Sequence, residues 1–218
     1  MNLEYPDSPP QTPKPGHRES GGQPAPQRSD FEIWRAFKDG DEGAFIYIYK
    51  TYVNYLFNAG IQYIQDEEIV KDCLQDFFVE LRQHKNNLAN IHFSIRLYLL
   101  KSFRRKLLKE IKKLKYDKKV DLKEAFAVEI AFDEKIIDSQ FNEARLQQIE
   151  HAISQLPVHQ REALYYFYYM DLSYSEIAEL LHYNHVSSAR RLIYKSLQKM
   201  RALIPLILLI AGLTLILL

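Results

Sequence analysis

Apolar residues recur three and four positions apart over most of the chain after residue 28, which is the period of an amphipathic helix. A first helix is predicted at 31–38 behind a cap at Ser29 or Asp30, a second from about Asp41, and a third after Asp66. Between Arg28 and Pro157 there is no proline, which favours long helices. The predicted fold class is therefore all-α.

The third predicted helix has two distinct faces. Its apolar positions, expected to be buried, are Ile69, Cys73, Leu74, Phe77, Phe78 and Leu81. The other face carries Glu68, Asp72, Gln75, Asp76 and Glu80. By periodicity alone this acidic face is a solvated surface.

A fourth helix is predicted from about Phe93, and it carries most of the positive charge. Its core stripe comprises Leu100, Phe103, Leu107, Ile111 and Leu114. The flank and outer face carry Lys101, Arg104, Arg105, Lys109 and Lys112. Residues 101–119 hold ten basic and two acidic residues. Such cations repel one another unless a polyanion neutralises them, which favours nucleic acid over a simply solvated face.

The second half of the chain predicts a helix-turn-helix. One helix covers about 141–156, and another runs from Pro157 to about Met170. Ser173 and Glu176 form a capping box, which predicts the start of a short helix before a turn at Asn184. The buried stripe of the final helix is expected to be Ala189, Ile193, Leu197 and Met200.

The charge of this helix-turn-helix indicates that it binds DNA. Residues 182–201 contain five Arg or Lys and no Asp or Glu. A recognition helix in the major groove reads base edges near its N-terminus while cations hold phosphates. The alternative is a solvated helical hairpin within another kind of bundle.

Composition divides the chain into five segments. Residues 1–29 form a Pro-rich arm expected to be disordered, since 1–28 contains seven of the nine prolines. Residues 30–116 form a first helical domain, and 141–203 form the helix-turn-helix domain. An acidic linker, 117–140, joins them, with a short helix at about 122–130. Residues 204–218 form an apolar tail.

The apolar tail predicts a membrane anchor. From Ala202 to Leu218, Thr214 is the only polar side chain, and as a helix these seventeen residues span roughly 25 Å despite Pro205. Basic residues precede it and would keep the DNA-binding domain in the cytoplasm, at the inner membrane. The alternative is a helix buried against the second domain or a partner protein.

Several other classes of protein are disfavoured. The single cysteine, Cys73, excludes a disulfide framework, and the Pro-rich start does not read as a secretory signal. His182 and His185 lack matching ligand pairs, so no metal site is expected. No phosphate loop, nucleophile elbow or paired-carboxylate signature is present, so neither an enzyme nor a cofactor is predicted.

The order of these parts resembles that of an extracytoplasmic-function (ECF) sigma factor, the two-domain type of bacterial sigma-70 family subunit, over about 31–201. In the first domain the resembling motifs are Asp41-x-x-Ala44-Phe45, Tyr49-x-x-Tyr52, Glu68-x-x-x-Asp72-x-x-Gln75-Asp76-x-Phe78-x-x-Leu81 and Tyr98-Leu99 before Arg104-Arg105. In the second they are Leu156-Pro157-x-x-x-Arg161-Glu162-Ala163-Leu164 and Ser175-Glu176-Ile177-Ala178-Glu179-Leu180-Leu181. The family usually has Asn at Arg105, often an acid at Lys109, and Gly where Tyr183-Asn184 form the turn.

The resemblance implies a sigma factor that binds core RNA polymerase and directs promoter recognition, with an anti-sigma protein as a further partner. Polymerase would contact Asp72, Gln75, Asp76 and Glu80, which reverses the solvation reading of that face. The minus-35 element would contact Ser187, Ser188, Arg190, Arg191 and Lys195, and minus-10 DNA the basic helix. The linker would thread through the polymerase cleft.

A base flipped from the melted strand would be accepted near Phe93 and Ile95. Two alternatives remain open. One is a membrane-tethered helix-turn-helix regulator that does not occupy the sigma site. The other is a decoy that binds polymerase but has lost promoter melting, which the departures at Arg105 and Lys109 make conceivable.

Overall fold

The computed structural model describes residues 28–91, 93–116, 126 and 140–216, with side chains omitted at 115, 140–146 and 204–216. The described residues contain α-helices, one short 3-10 turn at Lys85–Asn87, and no strand. The helices are α1 (Asp30–Lys38), α2 (Glu42–Ile61), α3 (Glu67–Gln83), α4 (Ile95–Tyr116), α5 (Gln140–Ser154), α6 (Val158–Tyr168), α7 (Tyr174–Leu180) and α8 (Val186–Ile216). The all-α prediction is confirmed.

The chain forms two compact units. Among the described residues, the first comprises 28–60 and Glu68–Leu108, and the second comprises Ile61–Glu67 and those from Lys109 onwards. The connection between α2 and α3 therefore belongs to the second unit. The predicted arm, residues 1–27, and the linker, apart from Phe126, lie outside the described residues.

Aromatic side chains form much of the core of the first unit. Its fully buried members include Trp34, Phe37, Ile48, Leu56, Leu74, Leu100, Phe103 and Leu107. Burying each such side chain stabilises the fold by about 1.5–3 kcal/mol. A Cβ on Gly60 would lie 2.6 Å from Cγ1 of Val70 and 3.3 Å from Cε1 of Phe103, so close packing against α3 and α4 requires glycine there.

Short polar side chains begin the helices of the first unit. Ser29 and Glu32 form a capping box, so α1 starts at Asp30, one residue earlier than predicted. The Asp41 carboxylate accepts from the backbone N–H groups of Gly43 and Ala44, at 2.8 and 3.3 Å. The backbone N–H of Leu97 donates to Ser94 Oγ at 3.1 Å, and α4 begins at Ile95, two residues later than predicted.

In the second unit, α8 packs against α5, α6 and α7. The buried side chains of α6 and α7 include Ala163, Tyr166, Ile177 and Leu180, and α8 contributes Ala189, Leu192, Ile193 and Ser196. Of the predicted α8 stripe, Ala189 and Ile193 are buried, whereas Leu197 and Met200 are half-buried. The stripe is therefore rotated towards Leu192 and Ser196. The Ser196 hydroxyl is satisfied by donating to the carbonyl of Leu192 at 2.8 Å.

The predicted membrane anchor falls on residues 204–218, whose side chains lie outside the described residues. The α8 backbone continues as a helix to Ile216. Within the described part of the chain, no helix combines the length and apolar character needed to cross a bilayer.

Candidate nucleic-acid and protein-binding surfaces

The second unit contains the predicted helix-turn-helix, formed by α7, a short turn and α8. The Ser173 hydroxyl accepts from the backbone N–H of Glu176 at 3.3 Å, and the Glu176 carboxylate accepts from the backbone N–H of Ser173 at 2.9 Å. The predicted capping box is therefore present. The left-handed residue of the turn is His182, with φ of 59°, two residues before Asn184, where the turn was predicted. The turn closes where α7 ends, so the bend comes two residues earlier.

The first three turns of α8 present a mixed polar and apolar surface. Ser187, Arg190, Arg191 and Lys195 are exposed, as a DNA-reading helix needs, whereas Ser188 is half-buried. The Arg190 guanidinium lies 5.2 Å from the centre of the Tyr174 ring, which restricts its rotamers. Two exposed side chains nearby, Val186 and Tyr194, were not predicted to belong to this surface. They lie four residues before and after Arg190, a spacing that places them on the same face of the helix.

A second basic surface lies on α4. Arg105, Lys109 and Lys112 are exposed, whereas Lys101 and Arg104 are half-buried. Of the predicted core stripe, Leu100, Phe103, Leu107 and Ile111 are buried, whereas Leu114 is half-buried. Burial raises the pKa of the Tyr98 hydroxyl, and a hydrogen bond with Ser102 and the nearby charge of Arg105 partly offset this rise. The α4 surface therefore offers charge to a polyanion.

The segment before α4, here called the pre-α4 loop (residues 88–91 and 93–94), is held by α1. Lys38 Nζ donates to the carbonyl of Leu88 at 2.7 Å and to Asn90 Oδ1 at 3.2 Å. Trp34 Nε1 donates to the carbonyl of Ala89 at 3.1 Å. At the end of the loop, the backbone N–H of Ile95 donates to Asp30 Oδ2 at 2.8 Å.

The two residues expected to receive a flipped base differ in exposure. Phe93 is 56% exposed, so its ring is available for stacking. Ile95 has no exposed surface, so its assignment as a base contact is wrong. Ile95 begins α4 and faces the core, which the prediction missed because it placed the helix start at Phe93.

The acidic face of α3 is exposed, opposite the buried face formed by Leu74, Phe77 and Phe78. Asp72, Gln75, Asp76 and Glu80 all lie on it. Val79, 46% exposed, adds an apolar side chain that sequence reasoning did not assign to this surface. Glu80 pairs with Lys106 of α4 at 2.7 Å, and Glu68 pairs with Lys71 at 3.2 Å.

A buried polar cluster in the second unit was also missed by the sequence analysis. The Tyr63 hydroxyl lies 2.5 Å from both a carboxylate oxygen of Glu162 and the hydroxyl of Tyr166. Phe126 packs edge-on against Tyr63 and Tyr165, with centroid distances of 4.8 and 5.5 Å. Because these residues come from three distant segments, no local pattern signals the cluster.

Metal-ligand chemistry is not evident in the described part of the chain, where no group of three or more His, Cys, Asp or Glu residues is arranged to hold an ion. His182 is an exposed residue of the turn, and His185 an exposed residue just before α8.

Residues 146–200, which include the helix-turn-helix, match the family model described as sigma-70, region 4. This match confirms the predicted resemblance to the sigma-70 family over the helix-turn-helix domain. No curated protein matches the chain.

Solved structures show a similar fold along most of the chain. CnrH, in complex with the cytosolic domain of CnrY, is 18% identical, with a TM-score of 0.53 over 81% of this chain and 97% of CnrH. The sigma factor RpoE, in complex with the anti-sigma factor NepR from Bartonella quintana, is 15% identical, with a TM-score of 0.52 over 74% of this chain and 96% of RpoE. At these identities the likeness establishes the fold.

Proposed function

We propose that the protein is a sigma factor, which binds core RNA polymerase and directs it to promoters. The observation that carries this proposal is the sigma-70 region 4 match over a helix-turn-helix whose recognition helix exposes Arg190 and Arg191. In this proposal the polymerase performs the chemistry, and the chain supplies binding, position and strand opening in the cytoplasm.

The recognition helix α8 would read the minus-35 element. Its N-terminal turns would enter the major groove, where Arg190 and Arg191 can bond base edges or phosphates. The short side chain of Ser187 would contact the DNA sugar-phosphate backbone, and Lys195, further along the helix, would bind a phosphate. The Tyr174 ring beneath Arg190 limits the freedom that this side chain loses on binding.

The α4 surface would hold the minus-10 duplex. Arg105, Lys109 and Lys112 project from one helix and would neutralise successive phosphates, whereas Lys101 and Arg104 would contribute from its flank. Phe93 would stack on a base that leaves the duplex. These contacts would offset the free energy required to unpair it.

Polymerase would dock on the acidic face of α3. Asp72, Gln75 and Asp76 are exposed around Val79, which gives an apolar contact within a charged rim. Glu80 would have to exchange its Lys106 partner to bind a cation of the polymerase, so its net contribution is smaller.

An anti-sigma protein is a proposed regulatory partner. RpoE was solved with the anti-sigma factor NepR, and CnrH with the cytosolic domain of CnrY. The similarity of fold supports a comparable partner for this chain. Coexpression and copurification with a candidate partner, followed by loss of transcription, would test it.

Run-off transcription with core polymerase tests the proposed function. We expect the full chain to direct initiation from its promoter, and Arg190→Ala with Arg191→Ala to reduce affinity for the minus-35 duplex. Each lost base contact is worth about 1–3 kcal/mol, or roughly 5- to 150-fold. Lys199→Ala, an exposed change further along α8, is the matched control.

Three outcomes contradict parts of the proposal. Unchanged minus-35 footprints in the Arg190 and Arg191 variants would remove the DNA-reading assignment. Binding to polymerase without initiation would instead indicate a decoy, which the exposed Arg105 and Lys109 favour because they depart from the family's melting helix. Specific DNA binding without polymerase binding would indicate a separate helix-turn-helix regulator.

A further inference from the structure

We propose that α1 positions the pre-α4 loop for strand opening, with Asp30, Trp34 and Lys38 as the positioning residues. This inference rests on the proposed sigma function, and it assigns a role to a helix that makes no DNA contact of its own in that proposal. The three residues would act through the loop on Phe93, the exposed ring proposed to stack on the flipped base.

The three side chains share one face of α1. They are four residues apart, which places successive side chains about one helical turn along the same face. Their bonds are distributed along the loop in order. Lys38 meets Leu88, Trp34 meets Ala89, and Asp30 meets Ile95, at 2.7, 3.1 and 2.8 Å.

Each contact satisfies a backbone group that no helix satisfies. The carbonyls of Leu88 and Ala89 lie between the 3-10 turn and α4, and Lys38 and Trp34 supply their donors. The Ile95 N–H is in the first turn of α4, where it lacks an intrahelical acceptor. Asp30 accepts from it and places negative charge at the positive end of the helix dipole.

The donors themselves are held in place. Trp34 is 1% exposed, and its ring centroid lies 4.6 Å from that of Tyr98 on α4. Lys38 makes a second bond, to Asn90 Oδ1 at 3.2 Å, so its ammonium group bridges two residues of the loop. A loop fixed at both ends does not have to be ordered when DNA binds, which raises affinity for the opened strand.

Lys38→Met tests the role because it keeps the aliphatic stem and removes both bonds to the loop. Lys38→Arg is the conservative variant, and Arg35→Met, an exposed change on the same helix, is the matched control. Permanganate reactivity of minus-10 thymines would be measured for holoenzyme on a duplex promoter and on one with a pre-opened bubble. Polymerase affinity, minus-35 protection and thermal midpoint would be recorded for each variant.

We expect Lys38→Met to reduce opening of the duplex promoter by roughly tenfold and to approach wild type on the pre-opened template. Lys38→Arg should retain at least part of the promoter opening that Lys38→Met loses, and Arg35→Met should open the promoter as well as wild type. Combined with Phe93→Ala, Lys38→Met should add little further loss, because both changes remove one function.

Equal opening by Lys38→Met and Arg35→Met would overturn the inference. So would an equal defect on both templates, or full additivity with Phe93→Ala, since either result indicates general destabilisation. If the wild-type holoenzyme opens no promoter, the proposed sigma function itself is wrong. If it opens promoters and Lys38→Met behaves as wild type, only the role of α1 fails.

Discussion

Phe126 should contribute far more to stability than its place in an acidic, weakly periodic segment suggests. The side chain is 1% exposed and contacts the rings of Tyr63 and Tyr165, and its φ of 84° is left-handed. Replacing a buried Phe with Ala costs about 3–5 kcal/mol. With a urea dependence of about 2 kcal/mol per molar, the unfolding midpoint of the second unit should fall by about 1.5–2.5 M.

A comparison of Phe126→Ala with Phe126→Gly separates packing from backbone strain. At most positions glycine is less stable than alanine, but a left-handed residue reverses the order. We expect the glycine variant to be more stable than the alanine variant by about 1 kcal/mol.

Urea unfolding followed by far-UV circular dichroism measures these changes. Trp34, the only tryptophan, lies in the first unit, so its fluorescence reports separately on that unit. Tyr168→Phe, at a 58% exposed ring, is the control and should leave the midpoint unchanged. A shift below about 0.5 M for Phe126→Ala, or a glycine variant weaker than alanine, would refute the reasoning.

Three further outcomes follow from the first unit. Gly60→Ala should lower the free energy of unfolding by about 1–3 kcal/mol, because the new methyl would lie 2.6 Å from Cγ1 of Val70; an unchanged thermal midpoint would contradict this. Burial raises the pKa of Tyr52 to about 12, so the unfolded chain loses that proton first and stability should fall from pH 10 to 12. Tyr52→Phe should reduce this fall in urea titrations, and an identical pH profile would argue against it. In polymerase titrations Asp76→Asn should weaken binding more than Glu80→Gln, whose Lys106 ion pair already competes; the opposite order would contradict the docking surface.

Helix positions were predictable from sequence because their signals are local. Ser29 and Ser173 each precede a Glu three residues later, and both capping boxes are present in the structure. Most of the buried face of α3 and of the inner face of α4 follows from periodicity, although Ile69 and Leu114 are half-buried and the buried Val70 was not predicted. The exposed Arg190 and Arg191 were predictable because the buried stripe of α8 fixes the direction of the remaining side chains.

The errors arise where distant segments meet or where a helix boundary decides the outcome. Tyr63, Phe126 and Glu162 carry no local sign of their shared cluster, since its contacts join residues as far as 103 positions apart. Ile95 was misassigned because α4 begins at Ile95, two residues later than predicted, and the prediction did not show that the first side chain of the helix faces the core. In the turn, the position of His182 depends on where α7 ends.

The four-residue spacing of Asp30, Trp34 and Lys38 also limits how α1 can change in length. Each inserted residue rotates everything beyond it by about 100° around the helix axis. A single insertion between Trp34 and Lys38 would turn the ammonium group away from Leu88, whereas most point substitutions on the outer face of α1 would leave all three bonds in place. Related sequences should therefore differ within α1 by substitutions, and should carry insertions and deletions only outside this helix.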